Sequence, residues 1–440
     1  MGKTYEIRDP VHGFIKINEW ERDIIDHPVF QRLRRIRQLS LSNMVYPGAM
    51  HTRFEHSLGV MHVATKMFDE IVKKRFEFLK SELNYNKTGL DTDRTIVRLA
   101  SLLHDVGHAP FSHAGEDLMT TIPNSNKKYK HENYSAAAVT LLMEDVIDNH
   151  PLNQNYNITA KKIAQFLNGS PQLGRCLLWR DLVSSQLDAD RADYLLRDSY
   201  HIGAAYGNYD LNRLFSTITV IMDPETEIPK LAIEEGGIHT AEALIIARYM
   251  MFTQVYFHHT RRSYDYHIVK TLKGMLETTQ KDSQIEIKNA FPPPISEYLL
   301  KKYLEWNDWK VLGMINAGEC NEDGITLSNR QHHRCIYETP INPNVQELEF
   351  LEILEDKYDD LIAFIDNPSN SLYKIESGDI FVSLNTGKIN EQVKPLSHLS
   401  NIVRELKSIN QHRIYSPYEC KKEAKEIVEY FMYKEKKNES

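Results

Sequence analysis

The 440-residue sequence predicts a mostly α-helical protein with a short β-hairpin and a smaller mixed α+β C-terminal region. Three observations carry that expectation. Amphipathic stretches of helical spacing dominate the first 275 residues. Strand signals are few. The stretch FPPPIS (291–296) marks a boundary, beyond which both patterns occur. The organisation expected is a core over residues 1–275 and a second region over 276–440 that stabilises an oligomer.

The elements follow in order. In WERDIIDHPVFQRLRRIRQL (20–39), Phe30, Leu33, Ile36 and Leu39 are spaced by three and read as one helix stripe. Pro28 suits a first helical turn and Asp26 an N-cap. Residues 57–80 read as a long amphipathic helix. Residues 92–109 read as another, opened by Thr92 or Asp93 and closed by Gly107 and Pro110. Residues 131–147 and 180–203 continue the helical series, and 238–276 give one or two aromatic-rich helices. STITVIMD (216–223) and IPKLAIEE (228–235) form the hairpin. In the C-terminal region, 333–341 and 378–385 read as strands, and 349–365 and 421–437 as helices.

A formal net charge of −8 argues against a chain-wide cationic surface for duplex nucleic acid, but leaves room for a local basic pocket. Four well-separated cysteines without a CxxC pair argue against a zinc ribbon and a disulfide framework. The N-terminus has no apolar signal core. The most apolar run (243–257) contains Arg248 and Gln254 and is too short for a bilayer. A cytoplasmic protein without membrane contact is the expectation.

Chemistry concentrates in LLHDVGHAPFSHAGED (102–117). An imidazole beside a carboxylate, His104–Asp105, suits Mn²⁺, Fe²⁺, Zn²⁺ or Mg²⁺, but two ligands are too few for a stable site. HTRFEHSLGV (51–60) offers His51, Glu55 and His56 around Arg53. LDADRADYLLRD (187–198) offers Asp188, Asp190, Asp193 and Asp198 beside Arg191 and Arg197. On a helix Asp190, Tyr194 and Asp198 share one face. A charged helix face is ordinarily solvated surface, but here Leu195 and Leu196 interrupt it. The run QRLRRIRQL (31–39) holds Arg32, Arg34, Arg35 and Arg37, either a salt-bridged exposed face or an anion site.

Taken with DPVHGFIKI (9–17), IIDHPVFQRLRRIRQL (24–39), YPGAMHTRFEHSLGV (46–60) and KHENYS (130–135), these segments resemble, in order, the HD-domain phosphohydrolases, and within them the deoxynucleoside triphosphate triphosphohydrolases. The resemblance spans about the first 270 residues and is loose beyond. It implies an HD-domain helical core and one divalent metal (Mn, Mg, Fe or Zn) held by His56, His104, Asp105 and Asp190, with further Mg²⁺ arriving on the nucleotide. It places His108, His113 and His131 beside the triphosphate, with Glu116 orienting a histidine and His113 or His131 as the acid. Arg53 and Arg191 would bind phosphate, and Tyr194 and Asp198 phosphate and sugar. Gln38, Leu39, Tyr264 and Asp265 would lie near sugar and base. It matches Asp26, Gln31 and Arg34 to residues that recognise guanine in an activating site between subunits, implying GTP or dGTP activation and a homo-tetramer.

Four positions depart from what other members carry. Arg191 stands where some have lysine, Glu116 where others have aspartate, and Tyr256 and Asp265 where vertebrate relatives have a phosphate-binding arginine and a glutamine. Two other readings compete with dNTP hydrolysis. One is an HD phosphodiesterase or nuclease acting on cyclic nucleotides or single strands. The other is a non-catalytic nucleotide-binding regulator.

Overall fold

The computed structural model describes residues 3–279, 289–370, 373, 378–388 and 390–438, with side chains to residue 430. Its first element is an antiparallel hairpin that the sequence reading did not foresee: β1 (Thr4–Asp9) and β2 (Gly13–Asn18). The Asp9 carboxylate accepts from the amides of Val11 and His12, and Gly13 takes a positive φ of 76° at the turn. Ile15 and Ile17 point into the core with period two.

The single helix expected over 20–39 is broken into three. α1 (Glu19–Asp26) stops before Pro28, which holds His27 extended at ψ 137°. The cap of the following turn is therefore His27, not Asp26. Arg32–Arg35 then wind as a 3-10 helix. The spacing of three between Leu33 and Ile36 fits the three residues per turn of this winding. Phe30, Leu33 and Ile36 are fully buried.

α2 (Arg53–Leu83) is opened by a capping box between Thr52 and Glu55, and is kinked at Arg75. α3 (Lys87–Leu103) starts earlier than expected, because Asn86 accepts from the Gly89 amide and caps it there. α4 (His131–Leu142) and α5 (Ala160–Asn168) follow. In the stretch 180–203 only α6 (Ala189–Ile202) is α-helical. Asp188 caps it, accepting from the Arg191 amide, and Gly203 ends it in the left-handed region.

β3 (Ile218–Met222) and β4 (Pro229–Glu234) form the expected hairpin. α7 (Ile238–Met251) and α8 (His259–Thr279) complete the N-terminal helices. The later elements are α9 (Glu297–Leu304), α10 (Asp308–Asn316), α11 (Glu322–Asn329), β5 (Arg334–Glu338), α12 (Val345–Lys357), β6 (Phe364–Asp366), β7 (Phe381–Leu384), β8 (Gln392–Pro395), β9 (Arg413–Ser416) and α13 (Lys421–Asn438). The helix expected over 349–365 ends at Lys357, and Phe364–Asp366 instead pairs with β9. Asp359 and Asp360 sit at the break, where short acidic side chains favour turns over helix.

The two regions share a core. β4 pairs in parallel with β7, giving a four-stranded sheet of order β3-β4-β7-β8. Leu300, Tyr303, Trp306 and Val311 pack in the same cluster as Phe30, Val106 and Tyr134. A smaller cluster around Tyr337, Phe350, Leu354 and Ile414 lies against the sheet β5-β9-β6. Among the described residues, no helix is long and apolar enough to cross a membrane.

Three helix ends converge at one place: the start of α2, the end of α3 and the start of α6. A glycine permits the approach of α2 to α6. A Cβ on Gly59 would lie 1.9 Å from Asp193 Oδ1.

Candidate metal centre

His56 lies one turn into α2 and is almost fully buried. Its Nδ1 bonds Asp193 Oδ2 at 2.8 Å and its Nε2 faces Asp190 Oδ1 at 2.9 Å. Burial alone would push this imidazole down. The hydrogen bonds and charges of Asp190 and Asp193 override burial and raise it to about 10. The site thus demands positive charge between its carboxylates.

His104 donates its Nδ1–H to the Ser101 carbonyl at 2.7 Å, which leaves Nε2 as the lone-pair nitrogen. That Nε2 is buried without a hydrogen-bond partner among the described residues. It lies 3.3 Å from Asp105 Oδ1 and 3.8 Å from Asp190 Oδ1. Asp105 Oδ2 lies 3.8 Å from His56 Nε2. The ligating atoms of His56, His104 and Asp190 all fall within 4.8 Å of one another. Two Nδ1 atoms anchored from behind, an orphaned Nε2 and two carboxylates fit a divalent cation.

A second cluster adjoins the first. Glu116 bonds His131 Nδ1 with one oxygen and His113 Nδ1 at 3.0 Å with the other. His108 stacks on His131 with centroids 3.9 Å apart, and its Nε2 is 3.6 Å from Asp105. Burial would raise Glu116, but its two histidines hold it well below the usual carboxylate range. Burial pulls His131 down, and Glu116 and neighbouring acids raise it on balance. Burial lowers His108, with the cations around it adding to the effect. His104, His131 and Asp190 line a common cleft with Arg180 and Ser184.

The other named residues are placed less uniformly. Arg53 is buried, donating to Asp105 Oδ2 at 2.5 Å and to Ser112 Oγ at 2.8 Å. Arg191 pairs with Asp188 at 2.5 Å. Tyr194 is pushed up to about 12 by burial, against nearby Arg248 and Arg191. Asp198 is held between His51 Nε2 and the Tyr256 hydroxyl, both at 2.7 Å, with Tyr256 donating to it. Leu39 is buried, as are Gln38 Oε1 and the Tyr264 hydroxyl, both unpartnered among the described residues. Asp265 accepts from Ser40 Oγ and pairs with Arg261.

In the arginine run, Arg34 donates to Gln31 at 2.9 Å and lies 3.4 Å over the Phe54 ring, while Asp26 is exposed. Arg32 does not belong to an exposed face. It is buried and donates to the carbonyls of His108 and Trp306.

One network at the site was not assigned a role from the sequence. Asp193 is fully buried and bonds His56, His12 and Arg197, and Arg197 also reaches Asp9 at 2.7 Å. A signal existed in the i, i+4 spacing of Asp193 and Arg197.

Comparison with known proteins follows the same geography. The HD domain family matches residues 53–198, and the HD associated region matches 209–288. An uncharacterized protein of Methanocaldococcus jannaschii is 30% identical over 424 residues, 96% of this chain and 81% of that protein. A deoxynucleoside triphosphate triphosphohydrolase homologue of Dictyostelium discoideum is 31% identical over 67% of this chain, which spans 54% of that relative. The crystal structure of a hypothetical protein from Aquifex aeolicus superposes with a TM-score of 0.75 at 28% identity, covering 96% of this chain and 99% of the other.

Proposed function

This chain belongs to the HD-domain family of metal-dependent hydrolases, whose relatives include deoxynucleoside triphosphate triphosphohydrolases, and on that premise we propose that it hydrolyses dNTPs to a deoxynucleoside and inorganic triphosphate. The observation that carries this reading is one cleft lined by both His104–Asp190 and the Glu116-held His131. His56, His104, Asp105 and Asp190 would hold a divalent cation, which would supply fixed positive charge for the phosphoryl group. Water adds at the α-phosphorus and the bond to the 5′-oxygen breaks. The leaving oxygen takes its proton from His131, which Glu116 orients. His131 is preferred to His113 because its side chain is 18% exposed and turned to the cleft, whereas that of His113 is 69% exposed. Arg53 and Arg191 face the phosphates. Tyr194 and Asp198 meet phosphate and sugar, and Gln38, Leu39, Tyr264 and Asp265 enclose sugar and base.

Asp26, Gln31 and Arg34 form a guanine-nucleotide activator site between subunits of a tetramer. The test is purified protein with Mn²⁺ or Mg²⁺ and each dNTP, with and without GTP or dGTP, and the products separated. Triphosphate release that rises with the guanine nucleotide is expected, and Arg34→Ala should lose the stimulation while keeping the basal rate. Pyrophosphate or monophosphate as the product would overturn the reading.

The acid has a pH signature. His131 must be protonated to donate, and Glu116 raises it above an ordinary imidazole. The rate is therefore sustained at neutral pH and falls as pH rises through the raised value. Glu116→Gln should move that alkaline limb to lower pH in a kcat–pH profile. A limb that stays in place would assign the proton to another group.

A further inference from the structure

The turn between α9 and α10 meets both segments that the proposed function places around the substrate. Asp308, the first residue of α10, is completely buried. Its two oxygens go to two backbone amides, Oδ2 to Arg37 at 2.9 Å and Oδ1 to Phe111 at 2.7 Å. Arg37 precedes Gln38 and Leu39. Phe111 lies between His108 and His113.

The loop at Phe111 is held in a costly shape. Phe111 and Ser112 have φ of 57° and 55°, the left-handed region that side chains avoid. Ser112 Oγ also donates to the Arg37 carbonyl at 2.6 Å and accepts from Arg53 Nε, which ties the same two segments a second time. Arg32 joins them a third time, with its NH1 on the His108 carbonyl at 2.8 Å and its NH2 on the Trp306 carbonyl at 2.7 Å. Burial lifts the Asp308 carboxyl to about 6 despite its two amide bonds, so a charged group is kept there at a cost.

We propose that Asp308 is a positioning residue for the hydrolysis: by clasping the amides of Arg37 and Phe111 it fixes the sugar-side segment against the histidine loop. This rests on the dNTP reading of the site. An acceptor is needed at both oxygens. Asparagine keeps the shape but turns a donor toward one of the two N–H groups.

The experiment uses the full chain loaded with Mn²⁺. Asp308→Asn should keep wild-type metal content and a nearly unchanged melting temperature. Its kcat should fall by about tenfold or more while KM rises less than about threefold, the signature of a displaced reacting geometry. Ser112→Ala, which leaves Asp308 in place, should lower kcat by a smaller factor. Amide exchange should quicken at residues 37 and 111 in Asp308→Asn, a reading of the clasp that does not depend on dNTP turnover. A kcat within about twofold of wild type, or a fall matched by lost metal, would overturn the proposal. Should Asp308→Asn not fold, an unchanged kcat in Ser112→Ala would overturn it. Wild-type protein that releases no triphosphate would instead sink the dNTP reading, and exchange at the two amides would still report on the clasp.

Discussion

Asp105→Asn is expected to abolish turnover and strip the metal from protein that remains folded. Asp105 is almost fully buried and serves two neighbours. Oδ2 takes the Arg53 NH1 at 2.5 Å and Oδ1 lies 3.3 Å from the orphaned His104 Nε2. Burial would raise its carboxyl. Arg53 first, then His104 and His56, hold it well below the usual range instead, so it is ionised at neutral pH. Alanine there would leave the Arg53 guanidinium buried without its counter-ion, a loss of about 3–5 kcal/mol that would confuse the result. Asparagine keeps an oxygen for Arg53 and removes the anionic ligand. The rate should fall by more than about 100-fold, the upper end of what loss of an outer partner of a metal ligand costs. Metal per chain and triphosphate release are measured on the same sample. Full activity with full metal content would remove Asp105 from the ligand set.

The candidate site residues were legible because the pattern that marks them is local. His104–Asp105, the Glu116 loop and the Asp190 helix each stand out within a dozen residues, and the structure brings His104, His131 and Asp190 to one cleft. Helix ends were less legible where a cap competed with the apolar pattern. Asn86 and Asp188 each set a start that periodicity alone misplaced. The 3-10 turn at Arg32–Arg35 hid behind a helix-like stripe, although its spacing of three was in plain view. The buried role of Arg32 could not be read locally. It depends on carbonyls of Trp306 and His108, and no periodicity reports on partners that far along the chain. The same distance hid the pairing of β4 with β7, so the hairpin was foreseen and the sheet was not.

Asp193→Asn should separate a ligand from the residue that aims it. Asp193 has no exposed surface, and its oxygens serve three partners. Oδ2 bonds His56 Nδ1 and Arg197 Nε, both at 2.8 Å. Oδ1 bonds His12 Nε2 at 2.6 Å and Arg197 NH2 at 2.9 Å. Arg197 and the two histidines hold the carboxyl well below its usual range against burial. Anchoring Nδ1 fixes the His56 ring and leaves Nε2 toward Asp190, so Asp193 acts on the metal through His56. The amide of asparagine must turn a donor toward at least one of these donors. Metal affinity should drop roughly 10–100-fold, yet turnover should recover at saturating metal, which Asp105→Asn cannot do. Stability is the second reading. Asp193→Ala leaves Arg197 buried against Asp9 alone, and the metal-free protein should lose about 3–5 kcal/mol in a denaturant titration. The hairpin turn that carries Asp9 and His12 is thereby part of the metal site's support, the contact that the sequence reading missed together with the hairpin itself. An Asp193→Asn protein that binds metal as tightly as wild type would mean that the His56 ring is held by its packing alone.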